Sequence, residues 1–279
     1  MTDGNMESAL HMHRAMFHLR EPAILAAIRK LDLSAGGCGL DAGCGTGLIT
    51  ELLSQAVAPG GHVTGLDLSP QYVAVARERI GGAGLARQVT FREGDVNALP
   101  FEDDCFDWAW SMDTLWPGPQ ELGCPSDTPF SMVRELTRVV RPGGTLALLF
   151  WSAQKLLPGH PLLEARLGAT SGATAPFRPG MRPDQHFLRG FAWLRDAGLQ
   201  NREAHTFVAG VQAPLSPKIR QALLFCFPMF WAEVEAEVRP EDWAEYQRLC
   251  QPDSRDLILN DPDYCAFLTY TMFYGRKAT

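Results

Sequence analysis

An open α/β fold, with a mostly parallel sheet and helices on both faces, is predicted by three observations. Short apolar runs alternate with helix-period segments as far as Trp151, the order that builds βαβ units. The first apolar run enters a turn with three alternate glycines, Leu40-Asp41-Ala42-Gly43-Cys44-Gly45-Thr46-Gly47. Two later runs, His62-Val63-Thr64-Gly65-Leu66-Asp67 and Gln88-Val89-Thr90-Phe91-Arg92, lead into the acids Asp67 and Asp95. In such sheets a ligand binds outside the carboxyl ends of the strands, where these residues fall.

Taken in order, residues 7 to 31 read as helical, with a break expected near Glu21-Pro22 and an amphipathic helix from Ala23 to Leu31. Cys38-Gly39-Leu40 ends a buried strand, and Leu48-Ile49-Thr50-Glu51-Leu52-Leu53 starts a helix whose first N–H groups face the glycine turn. After the second strand, Ser69 is placed as an N-cap and Pro70 as the first helical residue. Beyond Trp151 the pattern changes. Residues 152 to 183 are rich in Pro, Gly and Ala, with a short helix at Pro161 to Leu167. A helix over Gln185 to Ala197 ends at Gly198, a strand covers Glu203 to Ala209, and Ala266 to Tyr274 supplies a last strand. The expected organisation is one catalytic domain over 1–279. Its core comprises 32–151, 184–209 and 265–279, and its cap segments are 1–31, 152–183 and 210–264.

The glycine turn is not a dinucleotide fingerprint. That motif needs glycine at its first, third and sixth positions, whereas here the sixth position is Leu48. No Gly-Lys-Ser or Gly-Lys-Thr follows, so a P-loop is excluded. Asp41 would repel a pyrophosphate at close range but suits positive charge, such as the α-ammonium and sulfonium of S-adenosylmethionine. Asp67 is then placed for a ribose diol, Asp95 for an adenine amine, and the Val96 backbone for the adenine ring.

On these residues the chain resembles the class I S-adenosylmethionine-dependent methyltransferases, in the small-molecule branch with the ubiquinone and menaquinone C-methyltransferases. The resemblance covers residues 38 to 151. It implies a Rossmann-like sheet with an antiparallel last strand, and S-adenosyl-L-methionine as cofactor. The implied cofactor contacts are Asp41, Gly43, Cys44, Gly45, Gly47, Asp67, Leu68, Asp95, Val96 and Ser111. Cys105-Phe106-Asp107-Trp108-Ala109-Trp110-Ser111 resembles the fourth strand, and Glu135 to Gly144 the helix and turn that feed the fifth, which Thr145 to Trp151 completes.

A net charge of −7 argues against a nucleic-acid acceptor, since phosphate binding needs clustered Lys and Arg. No run of eighteen apolar residues occurs and Met1-Thr2-Asp3-Gly4 does not read as a leader, so the protein is expected to be cytoplasmic with no membrane span. The seven cysteines show no C-x-x-C spacing, and His11-Met12-His13 is too few ligands for a site, so no metal is expected. Cys44 is read as a structural thiol. The expected partner is a small-molecule acceptor, with a homodimer left open.

Methyl transfer from a sulfonium is an in-line displacement, so orientation and exclusion of water supply much of the acceleration, on the order of 7–11 kcal/mol. A base is needed only when the acceptor must lose a proton. The candidates are His11 and His18, which share a helical face with Arg14, and Asp113, just beyond the fourth strand and ahead of the turn Trp116-Pro117-Gly118-Pro119. The run Leu223 to Trp231 is strongly apolar and is expected to kink or end at Pro228; it reads equally as a pocket wall or as ordinary helix packing. The fourth-strand exit, Trp110-Ser111-Met112-Asp113-Thr114-Leu115-Trp116, departs from the quinone-methylating enzymes, which leaves O-, N- and C-methylation open. The alternative from another class is an S-adenosylmethionine-binding regulatory or scaffold protein without transferase activity.

Overall fold

The computed structural model describes residues 3–117, 124–126 and 128–279, with side-chain surroundings from Leu10 onward. Gly118 and Pro119 of the expected turn lie outside the described residues. The first half of the chain forms α1 (Asp3–Leu31), β1 (Cys38–Ala42), α2 (Leu48–Ala56), β2 (His62–Asp67), α3 (Pro70–Gly82), β3 (Val89–Glu93) and β4 (Phe106–Met112). Then come α4 (Pro129–Val139), β5 (Val140–Lys155), α5 (Pro161–Leu167), α6 (Ser171–Thr174) and α7 (Gly190–Asp196). The last elements are β6 (Gln200–Gln212), α8 (Pro217–Trp231), α9 (Pro240–Cys250) and β7 (Cys265–Arg276).

The seven strands form one sheet in the order β3-β2-β1-β4-β5-β7-β6. β1 pairs in parallel with β2 and with β4, and β2–β3 and β4–β5 are parallel too. β7 runs antiparallel to β5: Gly143 and Gly144 exchange backbone hydrogen bonds with Lys277, while Trp151 lies against Tyr270. The predicted α/β fold class is borne out, including the antiparallel last strand. β1 and β4 are buried on both faces, which explains why they read as continuous apolar runs instead of alternating ones.

Leu25–Trp151, Gly180–Phe207 and Tyr270–Thr279 form one compact unit, and Met1–Ile24, Ser152–Pro179 and Val208–Thr269 the other. In the unit that carries β1 to β4, Leu40, Ala42, Ala109, Leu146 and Leu148 belong to one core cluster with Met132, Val133 and Leu136 of α4 and Trp193 and Leu194 of α7. The buried positions of α4, Met132, Val133, Leu136 and Val139, follow the spacing of a single helical stripe.

The other unit has an aromatic core. Phe227 and Trp231 are 0% and 1% exposed and stack with centroids 6.3 Å apart, and Trp231 meets Tyr246 edge-on at 5.9 Å. Phe227 and Trp231 are thus packed inside this unit, while Leu224, Phe225 and Phe230 of the same run are half-buried and Met229 is exposed.

Three expectations are corrected. α1 runs unbroken through Pro22, because burial of the surrounding Leu19, Ala23, Ile24 and Ala27 outweighs the lost N–H and the clash of the ring with the preceding turn. α8 likewise does not end at Pro228: it runs on to Trp231, and the Pro228 carbonyl accepts the Ala232 N–H at 3.0 Å. The helix expected from Gln185 is interrupted. Pro183–Gln185 and Phe187–Arg189 are 3₁₀ turns separated by an extended His186, whose Nδ1 accepts the Leu188 N–H, and the α-helix starts only at Gly190.

Gly39 is fixed by a neighbouring strand. Its register partner on β4 is Trp108, and a Cβ on Gly39 would lie 2.0 Å from that ring. Gly39→Ala should therefore destabilise the protein by about 1–3 kcal/mol through overpacking. Trp108→Leu in the same chain should recover part of that loss. Denaturant unfolding of the two single variants and the double variant checks the coupling, and additive losses would contradict it.

Candidate functional site

β1 ends at Ala42 and the chain turns at once through Gly43, whose φ of +82° lies in the left-handed region that L side chains avoid. Space demands glycine there as well, because a Cβ would lie 2.0 Å from Thr114 Oγ1. Gly43 and Cys44 donate their N–H groups to Leu66 O at 2.8 and 3.0 Å, and Gly45 donates its N–H to Asp67 Oδ2 at 2.8 Å. The turn is thereby bound to the end of β2. Gly47 has its expected place immediately ahead of α2.

Asp67 has two structural duties in this arrangement. While Oδ2 holds Gly45, Oδ1 accepts the Ser69 N–H at 2.9 Å, and Ser69 Oγ in turn accepts the Tyr72 N–H at 3.3 Å to cap α3. Each carboxylate oxygen has a second lone pair, and Asp67 is half-exposed, so it retains capacity to accept from hydroxyl donors.

Asp41 is different: it is 1% exposed, and its Oδ2 accepts the Thr50 hydroxyl at 2.6 Å. Burial raises its pKa, the Thr50 hydrogen bond opposes the rise and the charge of Asp67 adds to it, leaving a value of about 7. The Cys44 thiol is pushed far upward by burial and by the charges of Asp41 and Asp67, so it stays protonated.

The remaining expected contacts lie along the same edge. Leu68, next to Asp67, is a large apolar side chain left 66% exposed. One strand further out, where Asp67 pairs with Glu93, the chain continues to an exposed Asp95 and a buried Val96. Asp95 Oδ1 accepts the backbone N–H and the Nδ2 of Asn97, both at 2.8 Å. Ser111 is buried, and its hydroxyl donates to Ala42 O at 2.9 Å, which ties β4 to β1 one residue before the turn.

The base candidates fall in different units. Asp113 stays in the unit of the glycine turn, but its Oδ1 accepts the Trp151 N–H at 2.9 Å and its Oδ2 accepts the Tyr270 hydroxyl at 2.7 Å. His18 and His11 belong to the other unit. His18 Nδ1 is 3.9 Å from Glu21 Oε2, and His11 Nε2 is 2.8 Å from Gln221 Nε2 with the Phe225 ring edge-on beside it. Among the described residues, no three His, Cys, Asp or Glu side chains are placed to hold a metal ion. No helix among them is long and apolar enough to cross a membrane.

Two residues escaped the sequence reading. Thr114 packs on Gly43, and Tyr270 holds Asp113 from a strand 157 positions away. Neither carries a local signal in the sequence.

Comparison with known proteins finds both sequence and fold matches. The Methyltransferase domain family matches residues 40–148. The chain is 37% identical over 122 residues to a demethylmenaquinone methyltransferase of Bacillus cytotoxicus, covering 44% of this chain and 48% of that protein. It is 36% identical over 119 residues to the methyltransferase GfsG of Streptomyces halstedii, covering 43% and 39%. A longer match, 28% identical over 203 residues, joins it to the demethylmenaquinone methyltransferase of Bacillus subtilis, covering 67% and 81%. The first of these matches thus span about half or less of the curated relatives' length. Among solved structures, the YcgJ protein of Bacillus subtilis superposes with a TM-score of 0.54 at 18% identity, covering 92% of this chain and 98% of that one. The chain has the class I S-adenosylmethionine-methyltransferase fold, with homologues among the menaquinone methyltransferases.

Proposed function

We propose that this protein transfers a methyl group from S-adenosylmethionine to a small, largely apolar or aromatic metabolite. The observation that carries the reading is the edge formed by β1, β2 and β3: a three-glycine turn bound to β2, with Asp41, Asp67 and Asp95 at or just past the strand ends and an exposed Leu68 beside them. Carboxylates accept from a diol and an amine and attract a cation, whereas a pyrophosphate would meet repulsion from the same groups. The homology of residues 40–148 to methyltransferases supports the same cofactor.

In this reading Asp67 receives the ribose hydroxyls, Leu68 and Val96 flank the adenine, and Asp95 accepts from its amine. Asp41, buried with a pKa of about 7, attracts the cation in its ionised form. The cofactor, when bound, supplies an electrophilic methyl group. The protein's task is then to orient the acceptor and keep water out. Trp116 and Phe187 support an aromatic or apolar acceptor. Both are half-buried, their rings meet edge-on at 5.0 Å, and Trp116 lies two residues beyond the Thr114 that packs on Gly43. The net charge of −7 weighs against a polyanionic acceptor.

The direct test incubates the protein with methyl-labelled S-adenosylmethionine and a metabolite extract. Label should appear in a small molecule that has gained the mass of one methyl group; label in tRNA or protein alone would contradict the proposal. With the acceptor in hand, Trp116→Ala should raise its KM well above any change in cofactor KM. Asp67→Ala should weaken S-adenosylmethionine and its demethylated product alike, by roughly 1.5–3 kcal/mol, because both carry the diol and both need the turn held in place. Calorimetry showing wild-type affinity in that variant would place the ligand elsewhere.

The raised pKa of Asp41 fixes the sign of a pH effect. Between about pH 4 and about pH 7 the folded protein holds a proton that the unfolded chain has released, so the stability contributed by this group is fully present below pH 4 and is lost as pH rises through 7. Asp41→Asn, a neutral stand-in for the protonated carboxyl, should gain stability relative to wild type progressively over that window. Urea unfolding at several pH values reads the difference, and a difference that does not change with pH would refute the assignment.

A further inference from the structure

Asp113 ties the exit of β4 to the two strands beyond it, β5 and β7. It lies one residue past β4 with φ at +48°, a left-handed conformation that Asp and Asn tolerate better than most L residues. Its N–H donates to Leu149 O at 3.0 Å and its Oδ1 accepts from Trp151 N at 2.9 Å, both on β5, while its Oδ2 accepts from Tyr270 on β7 at 2.7 Å. Tyr270 is 0% exposed. The next residue, Thr114, bonds back to Met112 O at 2.9 Å and fills the space above Gly43, where a Cβ would come within 2.0 Å of its hydroxyl oxygen.

We propose that Asp113 and Tyr270 are positioning residues for the cofactor: together they clamp the β4 exit so that Thr114 forms the wall against which the Gly43 turn is set. The inference rests on the reading of that turn as the S-adenosylmethionine site. It assigns Asp113 a role other than general base. Both Asp113 oxygens receive hydrogen bonds from within the fold, which fix the carboxylate against β5 and β7 and account for the residue without a proton-transfer role. The left-handed backbone also explains an acid at this position, since Asp meets the conformational demand and supplies two acceptors at once.

Asparagine separates the two roles. Asp113→Asn keeps the backbone preference and can keep both links, with Oδ1 accepting from Trp151 N and Nδ2 donating to the Tyr270 oxygen. It should bind S-adenosylmethionine within about two-fold of wild type, and with an identified acceptor it should retain kcat and its pH profile. Tyr270→Phe and Asp113→Ala should each raise the cofactor Kd about five-fold or more. The double variant should be no worse than the weaker-binding single variant, because both break one linkage. If Asp113→Ala does not fold, Tyr270→Phe and Asp113→Asn decide the matter. Loss of turnover in Asp113→Asn with cofactor binding intact would make Asp113 a base and overturn the clamp, as would an unchanged Kd in Tyr270→Phe. Failure of the wild type itself to bind S-adenosylmethionine would remove the cofactor reading, and the clamp with it. Wild-type binding with an indifferent Tyr270→Phe would remove the clamp alone.

Discussion

The hydrogen bonds that fasten the glycine turn to the end of β2 are the constraint on which the site depends. Three successive N–H groups, from Gly43, Cys44 and Gly45, are spent on Leu66 O and the Asp67 carboxylate. Donors at the end of a strand would otherwise need water or a ligand, and leaving them unpaired in a buried turn costs about 1–3 kcal/mol each. Because Asp67 also receives the Ser69 N–H at the entry to α3, one side chain sets the turn and the following helix in a common frame. The acid therefore has a structural reason to be there before any ligand arrives.

The second constraint is charge. Asp41 is a carboxyl taken out of water with one hydroxyl partner and a negative neighbour, and its pKa rises to about 7 in consequence. Burying an ionised carboxylate is costly unless a cation compensates it. A site of this kind is poised to favour a positively charged ligand, and the same carboxyl penalises an anionic one. In the proposed reading, fold stability and ligand preference draw on one group.

How much of this was legible depends on the range of each interaction. The glycine turn, the strand-end acids and the helix starts at Leu48 and Pro70 are written in contiguous residues, and so were readable. Asp113 was visible as a residue, but its partners lie 38 and 157 positions away, and no local pattern announces them. At Pro22 and Pro228 the helices run on because burial of the flanking apolar side chains outweighs the lost N–H and the clash of the ring with the preceding turn. The aromatic run ending at Trp231 left two readings open, since a helical period buries such residues with or without a ligand.

If S-adenosylmethionine binds on the glycine turn, the amides of that turn report it. Backbone amide shifts followed by NMR during titration with S-adenosylmethionine test it most directly. Saturable shifts are expected at Gly43, Gly45, Gly47, Leu68 and Asp95, with no comparable response to NAD. Shifts concentrated elsewhere in the chain, or an equal response to NAD, would contradict it.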